Sequence, residues 1–289
     1  AGNLFYTTGF ASPLKTLWWR MWGGDLAIIP AHQEPALILS DFVAPAAVNI
    51  TNIEDIRTYR AWVENRDIDV ISSSLAQGSW LDSPLRPAQF SHSEVHELLS
   101  KLLIERGLNK SVIGTDLRYM QKETYDYMLA NNPDCTFVDV TDLLYQLRSV
   151  KYPQEITSLR NAALLFESGV ISSIKNLNPN DSSQDIKHQY MAGVISHVLS
   201  DRTIGDYGGS FGFVSAGNGS QMAFGGRKQL DSSDLIKFDC GATLNGYPSD
   251  CGRTFVCGKA TQGQKKIYEA LMETHQTIRS MMKPGIKLS

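Results

Sequence analysis

Asp239 and Asp250 stand eleven residues apart, one on each side of Asn245-Gly246, in the stretch DCGATLNGYPSDCGRTF. Asn-Gly between two β-prone runs is a strong hairpin signal, because both central residues of the turn take positive φ. With Asn245 and Gly246 as a two-residue loop, Leu244 faces Tyr247 and Gly241 faces Asp250. Side chains alternate faces along a strand, so Asp239 shares the face of Gly241. Asp239 and Asp250 then become diagonal neighbours, with Cα atoms roughly 7–8 Å apart. Gly241 leaves the space between them empty. Thr254 falls on the same face as Asp250, where its hydroxyl can reach a carboxylate. Arg253 falls on the opposite face, and so do Cys240 and Cys251, which stand opposite each other.

Two carboxylates that converge repel unless something positive lies between them. A hard divalent cation of the Mn, Mg or Zn kind suits carboxylate oxygens. Two plainer readings stay open, a solvated surface pair and two turn-flanking aspartates with unrelated tasks. The Cys240/Cys251 pair reads as a soft thiolate site or as buried reduced thiols acting as small hydrophobes.

Elements on both sides must position this hairpin. Strands are expected over Leu26 to Pro30, Ala36 to Ser40, Asp69 to Ser72 and Ser111 to Gly114. Helices are expected over Ser93 to Arg106, with Ser93 as N-cap and Gly107 past its end, and over Glu123 to Ala130. This alternation predicts an α/β domain in the first half. Thr141 to Leu147 reads as a helical turn or more. Pro153 sits at the first position of a long helix, with Ile156, Leu159, Ala163, Phe166, Val170 and Ile174 as its apolar stripe. A second helix over about Gln184 to Leu199 follows. Strands over Phe211 to Ser215 and Leu235 to Phe238 precede the hairpin, and a helix over Gln262 to Met282 follows it. The domains divide as 1–143 and 144–289.

The 289 residues suffice for two domains, and 42% are hydrophobic. With 27 basic and 30 acidic residues the net charge is -3, and no basic patch points to nucleic acid or an anionic membrane. The four cysteines lack CxxC pairs and do not read as a secreted disulfide framework, so a cytoplasmic, reducing location is expected. No apolar run approaches the ~20 residues that span a bilayer. Trp18, Trp19 and Trp22 read as core or subunit-interface packing. His92, His96, His188 and His197 read as surface or capping residues, and Glu273 and His275 as surface or packing residues of the last helix. No GxSxG, P-loop or Rossmann fingerprint is present.

Asp239-x-Gly241, Gly246-Tyr247, Ser249-Asp250 and Arg253-Thr254-Phe255 closely resemble the first metal-binding hairpin of the pita-bread metallopeptidases, a family that includes prolidase, aminopeptidase P and the non-peptidase creatinase. Leu144, Leu147-Arg148, Lys151, Glu155-Ile156, Leu159-Arg160 and Ala162 resemble the linker and first helix of its catalytic domain. Asn3 to Phe10 is similar to an early strand of the creatinase-type N-terminal domain. The resemblance implies an α/β creatinase-type N-terminal domain followed by an α+β pita-bread catalytic domain, present only in its first half. It implies Asp239 and Asp250 as the first two ligands of a two-metal site, with Mn, Co or Zn as cofactors and Thr254 supporting a ligand. One histidine and two glutamates complete that site in the family, further along than Ser289, so the chain reads as trimmed at both ends.

The activity implied is metal-dependent hydrolysis of short proline-containing peptides by a homodimer. The residues depart from the family in one respect. Its peptidases carry a histidine after a Ser-Gly-x-Asn-like turn, and this sequence has none between His197 and His275. The replacement falls at Ala223 or Phe224. A creatinase-like or other small-molecule C–N hydrolase is therefore an alternative, and a non-catalytic binding module is another.

Overall fold

A computed structural model of the chain describes residues 2–12, 24–61, 87, 90–217 and 229–287. The expected strand over Asp69 to Ser72, the three tryptophans, and Ala223 and Phe224 lie outside these residues. The chain divides into two compact units, Ala1–Val150 and Lys151–Ser289.

The first unit is built on β2 (Ala36–Ser40), every residue of which is buried. Antiparallel β1 (Leu26–Ile28) flanks it on one side and parallel β3 (Asp55–Tyr59) on the other. Alternation along β2 feeds two cores. Leu37 and Leu39 pack with Leu4 and Phe10 of the N-terminal segment and with Ala44 and Ala47 of α2 (Ala44–Ile50). Ala36 and Ile38 pack with Val95, Leu99, Leu102 and Leu103 of α3 (His92–Glu105). A continuous apolar strand covered on both faces is what an α/β layer requires. Parallel β4 (Val112–Thr115) and β5 (Thr136–Asp139), with α4 (Lys122–Asn131) and α5 (Thr141–Ser149), follow among the described residues.

Two local expectations are corrected. Residues Gly2–Thr8 form a helix, α1, and not a strand. The Thr8 hydroxyl donates to the Leu4 carbonyl at 2.7 Å, and Gly9, at φ +72, accepts the left-handed conformation that closes the turn. The cap of α3 is Ser91, whose hydroxyl accepts from the Glu94 amide, and not Ser93.

His96 is also corrected, being neither surface nor cap. It is buried on α3, its ring parallel to Tyr127 of α4 at a centroid distance of 6.1 Å. Neither ring nitrogen has a hydrogen-bond partner.

The second unit is a four-stranded antiparallel sheet under two helices. The strands are β6 (Tyr207–Ala216), β7 (Leu235–Leu244), β8 (Tyr247–Pro248) and β9 (Cys251–Val256), with β7 paired to all the others. The helices are α6 (Pro153–Lys175) and α7 (Ser183–Ser200). Phe166 and Val170 of α6 and Ile186, Tyr190 and Val194 of α7 pack on Val214, Ile236, Phe238, Ala242 and Leu244. These strand residues all lie on one face, so the opposite face is free for other tasks. Helix α8 (Gln262–Met281) follows, with no buried residue; Ile267, Leu271, Ile278 and Met281 are all at least half exposed.

Pro153 opens α6, as its fixed φ favours. The buried face differs from the expected stripe at the start of the helix. Glu155, Ser158 and Ala162 point inward there, while Ile156 is 42% exposed. The cause is polar, because these positions carry hydrogen bonds to the hairpin.

The buried His96 sets a pH dependence. Burial and the nearby His92 push its pKa down from 6.5 to about 4. A folded-state pKa below the unfolded value means that protons favour the unfolded chain. The stabilisation is complete above the unfolded value and is lost as pH falls toward 4, by about 3 kcal/mol in all. Urea titrations at pH 7 and pH 5 should show a loss that His96→Leu removes. An equal loss in the variant would assign the acid sensitivity elsewhere.

Candidate metal centre

The hairpin is built around its turn. Asn245 and Gly246 both take positive φ, 48° and 76°, as a two-residue turn that matches strand twist demands. Leu244 pairs with Tyr247, Cys240 with Cys251, and Asp239 with Gly252. This is the register that the Asn-Gly position implied.

Four side chains fix the hairpin to its surroundings. Asn245 Oδ1 accepts from the Asp206 amide at 2.8 Å, and its Nδ2 donates to Ser158 Oγ of α6 at 3.2 Å. The Tyr247 hydroxyl donates to Glu155 Oε1 at 2.8 Å, while Glu155 Oε2 accepts from the Tyr152 amide at 2.7 Å. Ser249 Oγ donates to the Ala162 carbonyl of α6 at 2.9 Å and accepts from the Ala242 amide at 3.0 Å. Arg253 reaches over the Phe166 ring to Glu167, on the helix side of the sheet. The bond from Ser249 is the one closest to the chemistry, because the next residue is Asp250.

The other face of β7 presents Asp239 and Gly241, with Phe213 and Phe211 opposite them on β6. Gly241 does not leave an empty space. A Cβ built there would overlap the Ser249 carbonyl oxygen and come 2.6 Å from the Phe211 ring. The glycine is needed so that the Ser249-Asp250 backbone can cross β7 closely. Thr254 is exposed on this face, opposite Lys237.

The two carboxyls meet as the register requires. Asp239 has its pKa raised above the ordinary carboxyl range, first by burial, then by the charge of Asp250 and a hydrogen bond with it. Such a pair must hold a shared proton or a cation between its oxygens. The donors therefore fit a hard divalent ion in kind. They fall short in number, since among the described residues no three His, Cys, Asp or Glu side chains group as a metal ion needs. Glu273 and His275 are exposed on α8. On the reverse face, burial pushes the Cys240 thiol up to about 12, which favours the neutral thiol over a soft metal ligand.

Reasoning from sequence missed Glu155, Ser158 and Ser249 as the posts that hold the hairpin. The signal available was polar residues, Glu155 and Ser158, at the first inward positions of a largely apolar helix face. Ser249→Ala should cost about 1–3 kcal/mol, because the buried Ala242 amide loses its acceptor. Gly241→Ala should cost about 3 kcal/mol, near the top of the range for overpacking. Urea unfolding measures both, and a neutral Gly241→Ala would refute the close crossing.

The family model for the Creatinase/Prolidase N-terminal domain matches residues 1–150, and that for Metallopeptidase family M24 matches residues 157–289. The chain is 25% identical over 153 residues to the Xaa-Pro dipeptidase of Pyrococcus furiosus, covering 52% of this chain and 42% of that protein. It is 27% identical over 200 residues to the Bacillus subtilis protein YkvY, covering 68% of this chain and 53% of the relative. The solved Xaa-Pro dipeptidase from Bacillus anthracis superposes with a TM-score of 0.66 at 17% identity, covering 94% of this chain and 62% of that one. The chain thus spans from under half to about 60% of the length of these proteins. Matched across both units, it belongs to metallopeptidase family M24, in the branch that carries a creatinase/prolidase N-terminal domain.

Proposed function

We propose that Asp239 and Asp250 are the first two ligands of a dinuclear metal site in a hydrolase that cleaves short proline-containing peptides. The observation that carries this reading is the convergence of the two carboxyls on the face of the hairpin turned away from α6 and α7. Two divalent ions, of the Mn, Co or Zn kind, would supply an activated water and Lewis acidity. The chain's own residues hold and orient. Asp239 and Asp250 offer oxygens on a rigid hairpin, Ser249 fixes the backbone that carries Asp250, and Thr254 supports from the same face. A complete site needs further donors, since among the described residues no third His, Cys, Asp or Glu joins the pair. The peptide specificity is supported by the similarity to the Xaa-Pro dipeptidase of Pyrococcus furiosus. A homodimer in the cytoplasm is part of the reading, and the four free thiols suit a reducing compartment.

One observation favours a second reading on the same fold. The sequence has no histidine between His197 and His275. A missing electrophile of that kind costs about two to three orders of magnitude in amide hydrolysis. A creatinase-like hydrolase of a small guanidino or amide compound would not require the same group.

Elemental analysis of the full-length protein, beside Asp250→Ala, tests the metal reading. The expected result is about two divalent ions per chain in the wild type, as a two-metal site requires, and their loss in the variant. A metal-free protein after incubation with Mn, Co and Zn salts would sink it. Release of proline from a Gly-Pro dipeptide, against release of urea from creatine, then separates the two substrate readings.

A further inference from the structure

We propose that Cys240 and Cys251 form an oxidation site, a cross-strand redox pair directly behind the two carboxylates. The ladder pairs them face to face, Cys240 on β7 with Cys251 on β9. Residues directly opposite in an antiparallel pair have Cα atoms about 4.5–5.5 Å apart. A disulfide spans Cα separations of about 4.4–6.8 Å. The Cys240 thiol now donates to the Phe213 carbonyl of β6 at 3.9 Å, so its side chain must turn toward β9; the two sulfurs can then join without a change of register.

Accessibility gives the pair an order. Cys240 is fully buried and Cys251 is only partly so. Hydrogen peroxide meets Cys251 first. The thiol gives up two electrons to the peroxide O–O bond, becoming a sulfenic acid as one water leaves. The Cys240 sulfur then displaces the sulfenic oxygen as a second water. The sum is two thiols and one peroxide to one disulfide and two waters. The Tyr190 hydroxyl of α7 is buried beside both cysteines and has no hydrogen-bond partner. It is an unused donor within the same core cluster as the two cysteines. The other cysteines have no such partner. Cys257 bonds across the sheet to the Asp234 backbone, and Cys135 belongs to the other unit.

A bridge here acts on the opposite face. Asp239 and Asp250 are the immediate chain neighbours of the two cysteines and point the other way. Joining the sulfurs draws the Cβ atoms to about 3.8 Å. That closes the rear of the ladder and re-aims the carboxylates in front. This consequence, unlike the bridge itself, rests on the metal reading above.

The test is peptide mapping after treatment with excess hydrogen peroxide and alkylation without reductant. One Cys240–Cys251 peptide pair should appear, two hydrogens lighter, and dithiothreitol should reverse it. Cys251→Ser should abolish the bridge and leave Cys257 open to alkylation. Accumulation of Cys251 as sulfinic acid, or a bridge to Cys257, overturns the proposal. The bridge should form equally in Asp250→Ala, so it stands or falls apart from the metal site. In the wild type the bridge should weaken Mn binding by at least about fivefold, the lower end of ordinary coupling between sites. Unchanged binding by the bridged protein would refute the link between the two faces.

Discussion

Two negative charges held side by side on one hairpin face are the constraint around which the second unit is organised. Left to themselves, Asp239 and Asp250 would part. What prevents this is not local to them. The Asn245-Gly246 turn sets the register, and the Ser249 hydroxyl ties the returning strand to α6 at Ala162. Burial first, and then the repulsion that remains, raise the pKa of Asp239. Rigid presentation of unfavourable charge is how proteins build a strong cation site, because the strain is relieved only when the ion arrives.

The sheet separates these tasks by face. Its inner residues, from Ile236 to Leu244, supply the apolar contacts with α6 and α7 that stabilise the unit. Its outer residues carry carboxylates, glycines and two aromatic rings that contribute little to that core. Alternation along one strand lets a single segment, β7, serve both purposes. The same alternation places Cys240 one residue from Asp239 and yet in a wholly different medium.

Much of this was legible before any coordinates. Asn-Gly fixes φ at two residues, and two-residue turns fix register, so the Asp239/Asp250 convergence followed from spacing alone. The buried strand Ala36–Ser40 was legible because it has no polar residue until its end. What was hidden depended on partners distant in sequence. Glu155 and Ser158 break the apolar stripe of α6, and only Tyr247 and Asn245, some 90 residues on, explain why. Gly241 looked like empty space because a sequence cannot show the Ser249 carbonyl that crosses there. The helix at Gly2–Thr8 was hidden because threonines read as strand formers until their hydroxyls are seen bonding back along a helix. His96 stands three and seven residues before Leu99 and Leu103, on the buried face of its helix, but a histidine there reads equally as the polar edge of the stripe.

Helix α8 has a consequence for the chain as a material. Ile267, Leu271, Ile278 and Met281 fall at steps of three, four and seven, and so form a bare apolar stripe along one side. Water tolerates such a stripe poorly when warm and in the presence of excluded salts. A surface of this kind favours an apolar neighbour over water, and does so more strongly when warm and in sulfate.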